Sequence, residues 1–558
     1  MTSINRSGTP LPTSGVPGQQ SNEVGGPSTA PAPADAQPRG RGKPSALLGG
    51  LGQAPGQGSP DADASIRKNR TEVRGLSPVN ATGKMAKAAP LFADQMSGLS
   101  KIEVAVRTAI KDVKDADARA TVTVTVDLGK FRENFRAIRD IVGKDTELST
   151  VVKADAYGMG AVKVAQALEK EGCDKFFVAT LQEAIDMRNV NGGVKPETTV
   201  FVLGGPQRDT AHQYVEHNIT PVLNTLAQVK EWNELGAQLG KKLPAILQFD
   251  TGMSRQGIAP RDRSKVAFGS DALANIDVKY LMSHLATASE ATLDEATGER
   301  RPSESMELQR EAFEAIRTEY PGVRASLAAS SALHVKNYQY DMVRVGGAIH
   351  GQHLFDDQKG RYTQPATVES RINEVRDLDE GDRIGYGLVY DAREGDEGGT
   401  IPGGYTDGVA RGLGSSRDDD GRNVVNGHIV VDGRKVPVTG NVSMDTATVD
   451  LTGVLAEKRQ ALLDKLNAPR APGIDPDTSL IGDLERLKTT EGILDAFANS
   501  KVVLSDDNHP FDKLAEEAKE GGDKRINVSK VSIDFGTSPR VRKVYVDRTD
   551  QQNAADNA

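Results

Sequence analysis

Cysteine is nearly absent from this chain. Cys173 is the only one in 558 residues, which excludes an intramolecular disulfide and any site built from several thiolates. It follows a helical run, where packing rather than chemistry is expected of it. An excess of basic charge is also missing. The formal net charge is -9 and the isoelectric point is about 5.6, which argues against a nucleic-acid scaffold. No run is long and apolar enough to span a membrane. No basic stretch followed by an apolar one opens the chain, so a Sec signal peptide is not expected. Hydrophobic residues make up only 37% and the mean hydropathy is -0.45. A globular part diluted by an unstructured part accounts for both values.

The unstructured part is expected at residues 1–98, a stretch dense in Gly, Pro, Ser, Ala and Gln and poor in aromatics. Such a segment cannot bury enough apolar area to offset the entropy of ordering it. From Ala120 the texture changes. Thr121 to Leu128 alternates Thr and Val, which reads as a strand, and Phe131, Phe135, Ile138 and Val142 follow at helical spacing. Short apolar strands then alternate with helical or loop segments. They are read at Ser149–Asp155, Lys175–Thr180, Thr199–Gly205, Ile219–Asn224, Ala245–Asp250, Lys279–Leu285, Ala325–Ser330 and Asp341–Gly347. This repeat predicts an α/β fold, a (β/α)8 barrel over residues 120–365. Its unusual polar residues and glycines fall at the C-terminal ends of the strands, the face where barrel active sites lie. Residues 366–547 read as a mostly-β domain. Val368 to Leu378 alternates, and Asp432-Gly433 forms a hairpin signal between two apolar runs. A charged, helix-prone insertion is expected near residues 455–500, broken at Pro469–Pro476. Strands return over Lys501–Asp547, and a polar tail ends the chain.

The run Thr150-Val-Val-Lys-Ala-Asp-Ala-Tyr-Gly-Met-Gly160 carries the most chemistry. Lys153 ends an apolar strand, and a lysine in apolar surroundings loses its proton more readily and becomes a nucleophile. It can then form a Schiff base with a carbonyl cofactor. A lone strand-end lysine more often snorkels to water, so the choice rests on what accompanies it.

The Lys153 run closely resembles the cofactor-lysine segment of the alanine racemase family. The resemblance continues through Val126-Asp-Leu, Phe177-Val-Ala-Thr with Glu183-Ala, and Asp250-Thr-Gly-Met-Ser-Arg-Gln-Gly257. It goes on through Met282-Ser-His-Leu-Ala-Thr-Ala288, Ser326-Leu-Ala-Ala-Ser-Ser-Ala332 and Asp341-Met-Val-Arg-Val-Gly-Gly347. It ends with Gly385-Tyr-Gly-Leu-Val-Tyr390, Gly404-Tyr-Thr-Asp-Gly408 and Val442-Ser-Met-Asp445. The order matches along roughly Thr121 to Asp547.

This resemblance implies pyridoxal 5'-phosphate (PLP) as cofactor, an isomerase activity that interconverts L- and D-amino acids, and a small amino-acid substrate. It implies no metal, and a head-to-tail homodimer with shared active sites. Lys153 would hold PLP and serve one face of the substrate. Tyr386, from the partner subunit, would serve the other. Arg255 would hold the cofactor's 3-oxygen and the substrate carboxylate. Met444 would present its backbone N–H to substrate. Arg344 would face the pyridine nitrogen, with pairing to Asp341 on the barrel rim as its alternative. His284 would pack against the ring. Tyr157, Ser330, Gly346 and Gly347 would hold the phosphate. For Tyr386 the alternative is a domain-core tyrosine.

Several positions depart from the family pattern. Met159 stands for the usual histidine, Ala329 for an asparagine, and Gln248 for a lysine that braces the arginine. As an amide, Gln248 could still hydrogen-bond Arg255. The Gly536-Thr-Ser-Pro-Arg540 segment replaces the one that offers a tyrosine to the phosphate and inner gate. Its loss implies a wider pocket, similar to the broad-specificity amino-acid racemase branch. A non-catalytic PLP-binding protein or a secreted effector on a racemase scaffold is the alternative function. The expected location is cytoplasmic. The Ser/Thr/Asn-rich start, Met1-Thr-Ser-Ile-Asn-Arg-Ser-Gly, is similar to type III secretion leaders and supplies the alternative.

The composition shift yields a direct test. Deleting residues 1–98 is expected to leave solubility, cofactor binding and turnover nearly unchanged, because the segment has too little apolar surface to join a core. Activity assays on the purified truncated protein check this. Insolubility or lost turnover would contradict it.

Overall fold

The computed structural model describes residues 119–548 apart from 469–478, 499, 524–525 and 527. The expected leader at 1–98, the break at 469–476 and the end of the polar tail lie outside the described residues.

Eight parallel strands form a nearly closed barrel. Around it run Arg324–Ser326, Ile276–Met282, Leu243–Gln248, Thr220–Leu223, Thr199–Val202, Lys175–Val178, Glu147–Val151 and Met342–Val345. Each falls within or beside a strand read from the sequence. The ring closes where Arg344 N–H donates to the Ala328 carbonyl at 3.0 Å and Asp341 N–H to that of Ala325 at 3.1 Å. Strands of this kind are buried on both faces, which explains their continuous apolar runs. Their inward residues, including Val151, Phe177, Phe201, Ile246, Tyr280 and Met342, fill the barrel as a separate cluster. Phe177 and Phe201 stack there with ring centroids 4.6 Å apart. The barrel is therefore a packed core, and only its C-terminal rim is free for chemistry.

The second domain centres on a nine-stranded sheet. The strand Thr123–Asp127, read from its place in the chain as leading into the barrel, belongs to this sheet instead. It pairs antiparallel with Ala366–Ser370 and parallel with Arg542–Val546. The reason is visible in its burial, which alternates at first, whereas barrel strands such as Lys175–Val178 and Thr199–Val202 are buried at every residue after the first. The hairpin at Asp432-Gly433 is as read. Strand His428–Val431 pairs with Arg434–Thr439, and φ is +50° at Asp432 and +84° at Gly433, as a type I′ turn requires. The segment after Lys501 is less β than expected. Two helices, Phe511–Glu520 and Val528–Thr537, separate strands Val502–Ser505 and Arg542–Val546. Among the described residues, no helix is long and apolar enough to cross a membrane.

The charged insertion is helical, at Thr452–Asn467, Ser479–Arg486 and Thr490–Ala496. It is anchored by buried Leu455, Leu487, Ile493 and Phe497. It also supplies a charge. Glu397 is buried and faces Asp377 across two strands, and Arg459 of the insertion reaches Glu397 at 2.8 Å. Burial pushes the Glu397 carboxyl above its ordinary range, the Arg459 guanidinium opposing it. A raised folded-state pKa means the folded state holds this proton better than the unfolded chain. The group's contribution therefore falls as pH rises through that range. Arg459→Ala would raise the pKa further. It is expected to cost about 2 kcal/mol at neutral pH, below the value for a fully buried pair because Arg459 is partly exposed. The loss should shrink near pH ~4.5, where the carboxyl holds its proton. Thermal melts of the variant at the two pH values check this.

Candidate active site

At the end of strand Glu147–Val151 the backbone does something few non-glycine residues do. Ala154, Asp155, Ala156 and Tyr157 all have φ between +53° and +54°. Ala156 N–H donates to the Val152 carbonyl and Gly158 N–H to that of Ala154, each at 2.8 Å. The result is one turn of left-handed helix beginning at Lys153. Such a turn costs roughly 1–2 kcal/mol per residue, so other groups must hold it.

Glu183 does this from helix Leu181–Asn189. Its Oε1 accepts from Ala154 N–H at 2.5 Å and its Oε2 from Ala179 N–H at 2.8 Å. Asp155 accepts from Ala161 N–H at 2.8 Å and pairs with Lys543 at 2.6 Å. Ser532 Oγ donates to the Tyr157 carbonyl at 2.7 Å. Gly158 lies so close to helix Val528–Thr537 that a Cβ there would sit 2.8 Å from Gly536 Cα. Glu183 was quoted as a family motif without a role. The Thr180-x-x-Glu183 spacing, a capping box, was the signal for it. Ser532 and Lys543 had no such signal.

Lys153 is half-buried, and its amine has a lowered proton affinity. Burial is the main cause and the nearby Arg255 charge the second, with Glu183 opposing both. Arg255 is exposed on a loop folded around Asp250, whose Oδ1 accepts from the N–H groups of Gly252, Met253 and Ser254 at 3.0 Å each. Gln248 does not accept a hydrogen bond from Arg255. It donates to the Gln256 carbonyl at 3.3 Å, because the loop backbone turns back over it.

Arg344 is buried within the barrel rim. It donates to Ser326 Oγ at 2.6 Å and to the Ser283 carbonyl at 2.8 Å, and approaches His284 Nδ1 at 3.4 Å. The rim pairing with Asp341 does not form, since Asp341 Oδ2 accepts from Ala325 N–H at 2.7 Å. Burial without a carboxylate partner lowers the Arg344 pKa to about 10. His284 is lowered to about 3, by burial first and then by Arg344, Arg255 and Lys153. Its imidazole is neutral at physiological pH.

Ser330 Oγ accepts from Gly346 N–H at 3.0 Å and Ala348 N–H at 3.2 Å. Tyr157 packs on Gly346 so closely that a Cβ there would lie 2.4 Å from its hydroxyl. A Cβ on Gly347 would lie 2.7 Å from Gln352 Oε1. Burial raises the Tyr157 phenol to about 12, so it stays a donor. His350, for which the sequence carries no local signal, packs its ring against Tyr157 at a 40° tilt with centroids 4.3 Å apart. Its Nδ1 lies 2.9 Å from the Gly346 carbonyl. Cys173 is buried against Thr150, its thiol raised to about 11, as a packing role requires.

Lys153, Tyr157, Arg255, His284, Ser330, Arg344, Gly346 and Gly347 thus gather at one rim of the barrel. Tyr386 and Met444 do not join them. Both lie on the second domain, 74% and 52% exposed. That exposure excludes the domain-core alternative for Tyr386. The Tyr386 carbonyl accepts from Asn441 Nδ2 at 2.7 Å, between Gly385 and Gly387 at φ +72° and +76°.

Comparison with known proteins agrees with this arrangement. Residues 126–353 match the family model "Alanine racemase, N-terminal domain", and residues 366–468 match "Alanine racemase, C-terminal domain". The chain is similar to the alanine racemase of Brucella canis, 36% identical over 354 residues that cover 61% of this chain and 83% of the relative. It is likewise 36% identical to the catabolic alanine racemase of Mesorhizobium japonicum over 340 residues, 61% of this chain and 82% of that one. Among solved structures it resembles the alanine racemase of Bartonella henselae with covalently bound pyridoxal phosphate. The TM-score is 0.60 at 26% identity, covering 76% of this chain and 100% of that one.

Proposed function

The chain belongs to the alanine racemase family, and from that premise we propose that it is a PLP-dependent isomerase interconverting L- and D-amino acids by a two-base mechanism. One observation carries the reading. A Lys153 of lowered proton affinity shares a barrel rim with a buried Arg344 that has no carboxylate partner among the described residues. The donor set fits the cofactor. An amine for its aldehyde stands at one end, and the Ser330 and Tyr157 hydroxyls with the glycine backbone at the other suit a phosphate. Bound on Lys153, PLP supplies an electron-withdrawing ring that acidifies the α C–H bond of an amino acid.

The residues of the chain divide the remaining work. Arg344 keeps its proton and would leave a facing pyridine nitrogen without one, which weakens the electron sink and disfavours transamination. Neutral His284 offers a ring face without adding charge. Arg255 lowers the proton affinity of Lys153 and offers its guanidinium to a carboxylate. Racemisation needs a proton taken from one face and another returned to the opposite face, so two acid/bases are required. Lys153 serves one face. Tyr386 of the partner subunit serves the other, because this chain's own Tyr386 is exposed on the second domain. With Leu388 and Met444, 49% and 52% exposed, it forms a patch suited to a second copy in a homodimer with shared sites. Met444 would present its backbone N–H to substrate there. A cytoplasmic location is part of this reading and rests on the family alone.

Borohydride reduction and peptide mapping of the holoenzyme are expected to place the cofactor on Lys153, and Lys153→Ala should lose covalent attachment. Tyr386→Phe should keep the bound cofactor's absorbance and lose about 10²–10⁴-fold in racemisation. An unlabelled Lys153, or near-normal rates in Tyr386→Phe, would overturn the assignment.

Substrate breadth follows from Pro539, which stands near where the family has a tyrosine, in the small-residue stretch just past helix Val528–Thr537. With only small groups there, longer side chains should be accepted. Each added buried methylene is worth about 0.8 kcal/mol, so broad acceptance is expected rather than sharp preference. Comparing kcat/KM for alanine, serine, methionine, lysine and arginine tests this. Strong preference for alanine over all larger residues would defeat the wider pocket and leave the racemase reading standing.

A further inference from the structure

Arg540 lies beyond helix Val528–Thr537 and has an unusual set of partners. Its Nη2 donates to Asp407 Oδ2 at 3.0 Å, and its Nη1 reaches both Asp445 Oδ1 and, at 3.2 Å, Thr406 Oγ1. Asp407 is fully buried, and it also accepts from Gly404 N–H at 3.0 Å. Arg540 is the one cation paired with Asp407 among the described residues. This fork therefore fixes the turn Gly404-Tyr-Thr-Asp-Gly408 from two of its residues at once.

That turn in turn fixes the backbone around Met444. Thr406 donates to the Met444 carbonyl twice, from Oγ1 at 2.7 Å and from N–H at 3.2 Å. Because Arg540 donates to the Thr406 hydroxyl, that hydroxyl's own proton is directed to Met444. Tyr405 N–H donates to the Ser443 carbonyl at 3.0 Å. The Ser443–Met444 peptide is trans, so holding its carbonyl on one side points the Met444 N–H to the other. The contact is tight, since a Cβ on Gly404 would lie 2.3 Å from the Met444 carbonyl oxygen. The opposite side of the turn rests on helix Val528–Thr537, where a Cβ on Gly408 would lie 2.5 Å from Phe535 N.

We propose that Arg540 is a positioning residue for substrate binding. Acting through the turn that carries Tyr405 and Thr406, which hold the carbonyls of Ser443 and Met444, it orients the Met444 backbone N–H toward the substrate carboxylate. The inference rests on the Met444 role proposed above. An arginine that merely neutralised buried Asp407 would be replaceable by any cation. A positioning arginine needs the fork that reaches Thr406 as well.

Holoenzyme variants separate the two roles. Propionate, which has alanine's carboxylate without its amine, serves as a non-reacting probe by spectroscopic titration. Arg540→Lys is expected to keep cofactor content and the dimer while raising KM for alanine and Kd for propionate about tenfold, with kcat less affected. Thr406→Val, which leaves the Arg540–Asp407 pair intact, should reproduce the same change. The double variant should be no worse than either single one. A silent Thr406→Val, or full rescue of KM and Kd by Arg540→Lys, would overturn the inference even if Arg540→Lys proved unstable. Wild-type protein that racemises no amino acid would instead remove the function proposed above and this inference with it.

Discussion

The left-handed turn at Lys153 is the constraint on which the site depends. Four consecutive non-glycine residues occupy a conformation that L-residues avoid. The turn brings the Lys153 amine and the Tyr157 ring to the same rim although they are only four residues apart in the chain. Two of its backbone polar groups are satisfied from outside, by Glu183 and by Ser532, while its own Asp155 side chain accepts from Ala161 N–H. Two close approaches complete the clamp, Gly158 against Gly536 and Gly160 against the Tyr545 hydroxyl. The last segment of the second domain is thus structurally part of the barrel's site.

Charge distribution at the rim follows from burial. Lys153, His284 and Arg344 all bind their protons less tightly than in water, and desolvation leads the causes for each. For two of them neighbouring charge adds to this: Arg255 lowers Lys153 further, and Arg344, Arg255 and Lys153 lower His284. Glu183 alone opposes the trend at Lys153. A rim that gathers Lys153, Arg255 and Arg344, with no carboxylate on Arg344, suits anions. Both a phosphate and an amino-acid carboxylate meet that description.

The second domain contributes in two directions. Inward, Ser532, Lys543 and Tyr545 brace the Lys153 turn. Outward, Tyr386 and Met444 stand on a surface that one copy of the chain leaves exposed. The segment from helix Val528–Thr537 to Arg540 lies between these roles, touching the Lys153 turn on one side and the Gly404–Gly408 turn on the other.

The barrel was legible because its strands are short, apolar throughout and regularly spaced, and local pattern alone specifies that. The lysine run and the glycines beside Tyr157 were legible for the same local reason. The strand Thr123–Asp127 could also have been placed from sequence, since its Thr/Val alternation is the mark of a half-buried sheet. Tertiary structure alone decided the rest. Ser532 and Lys543 act on residues 375 and 388 positions away, and Arg344 meets Ser326 and the Ser283 carbonyl while Asp341 accepts from Ala325 N–H. Gln248 turned to the Gln256 carbonyl rather than Arg255. Local periodicity records which face of an element is buried. It carries no record of which distant polar group a buried donor or acceptor will meet, and that pairing is settled only when the elements pack.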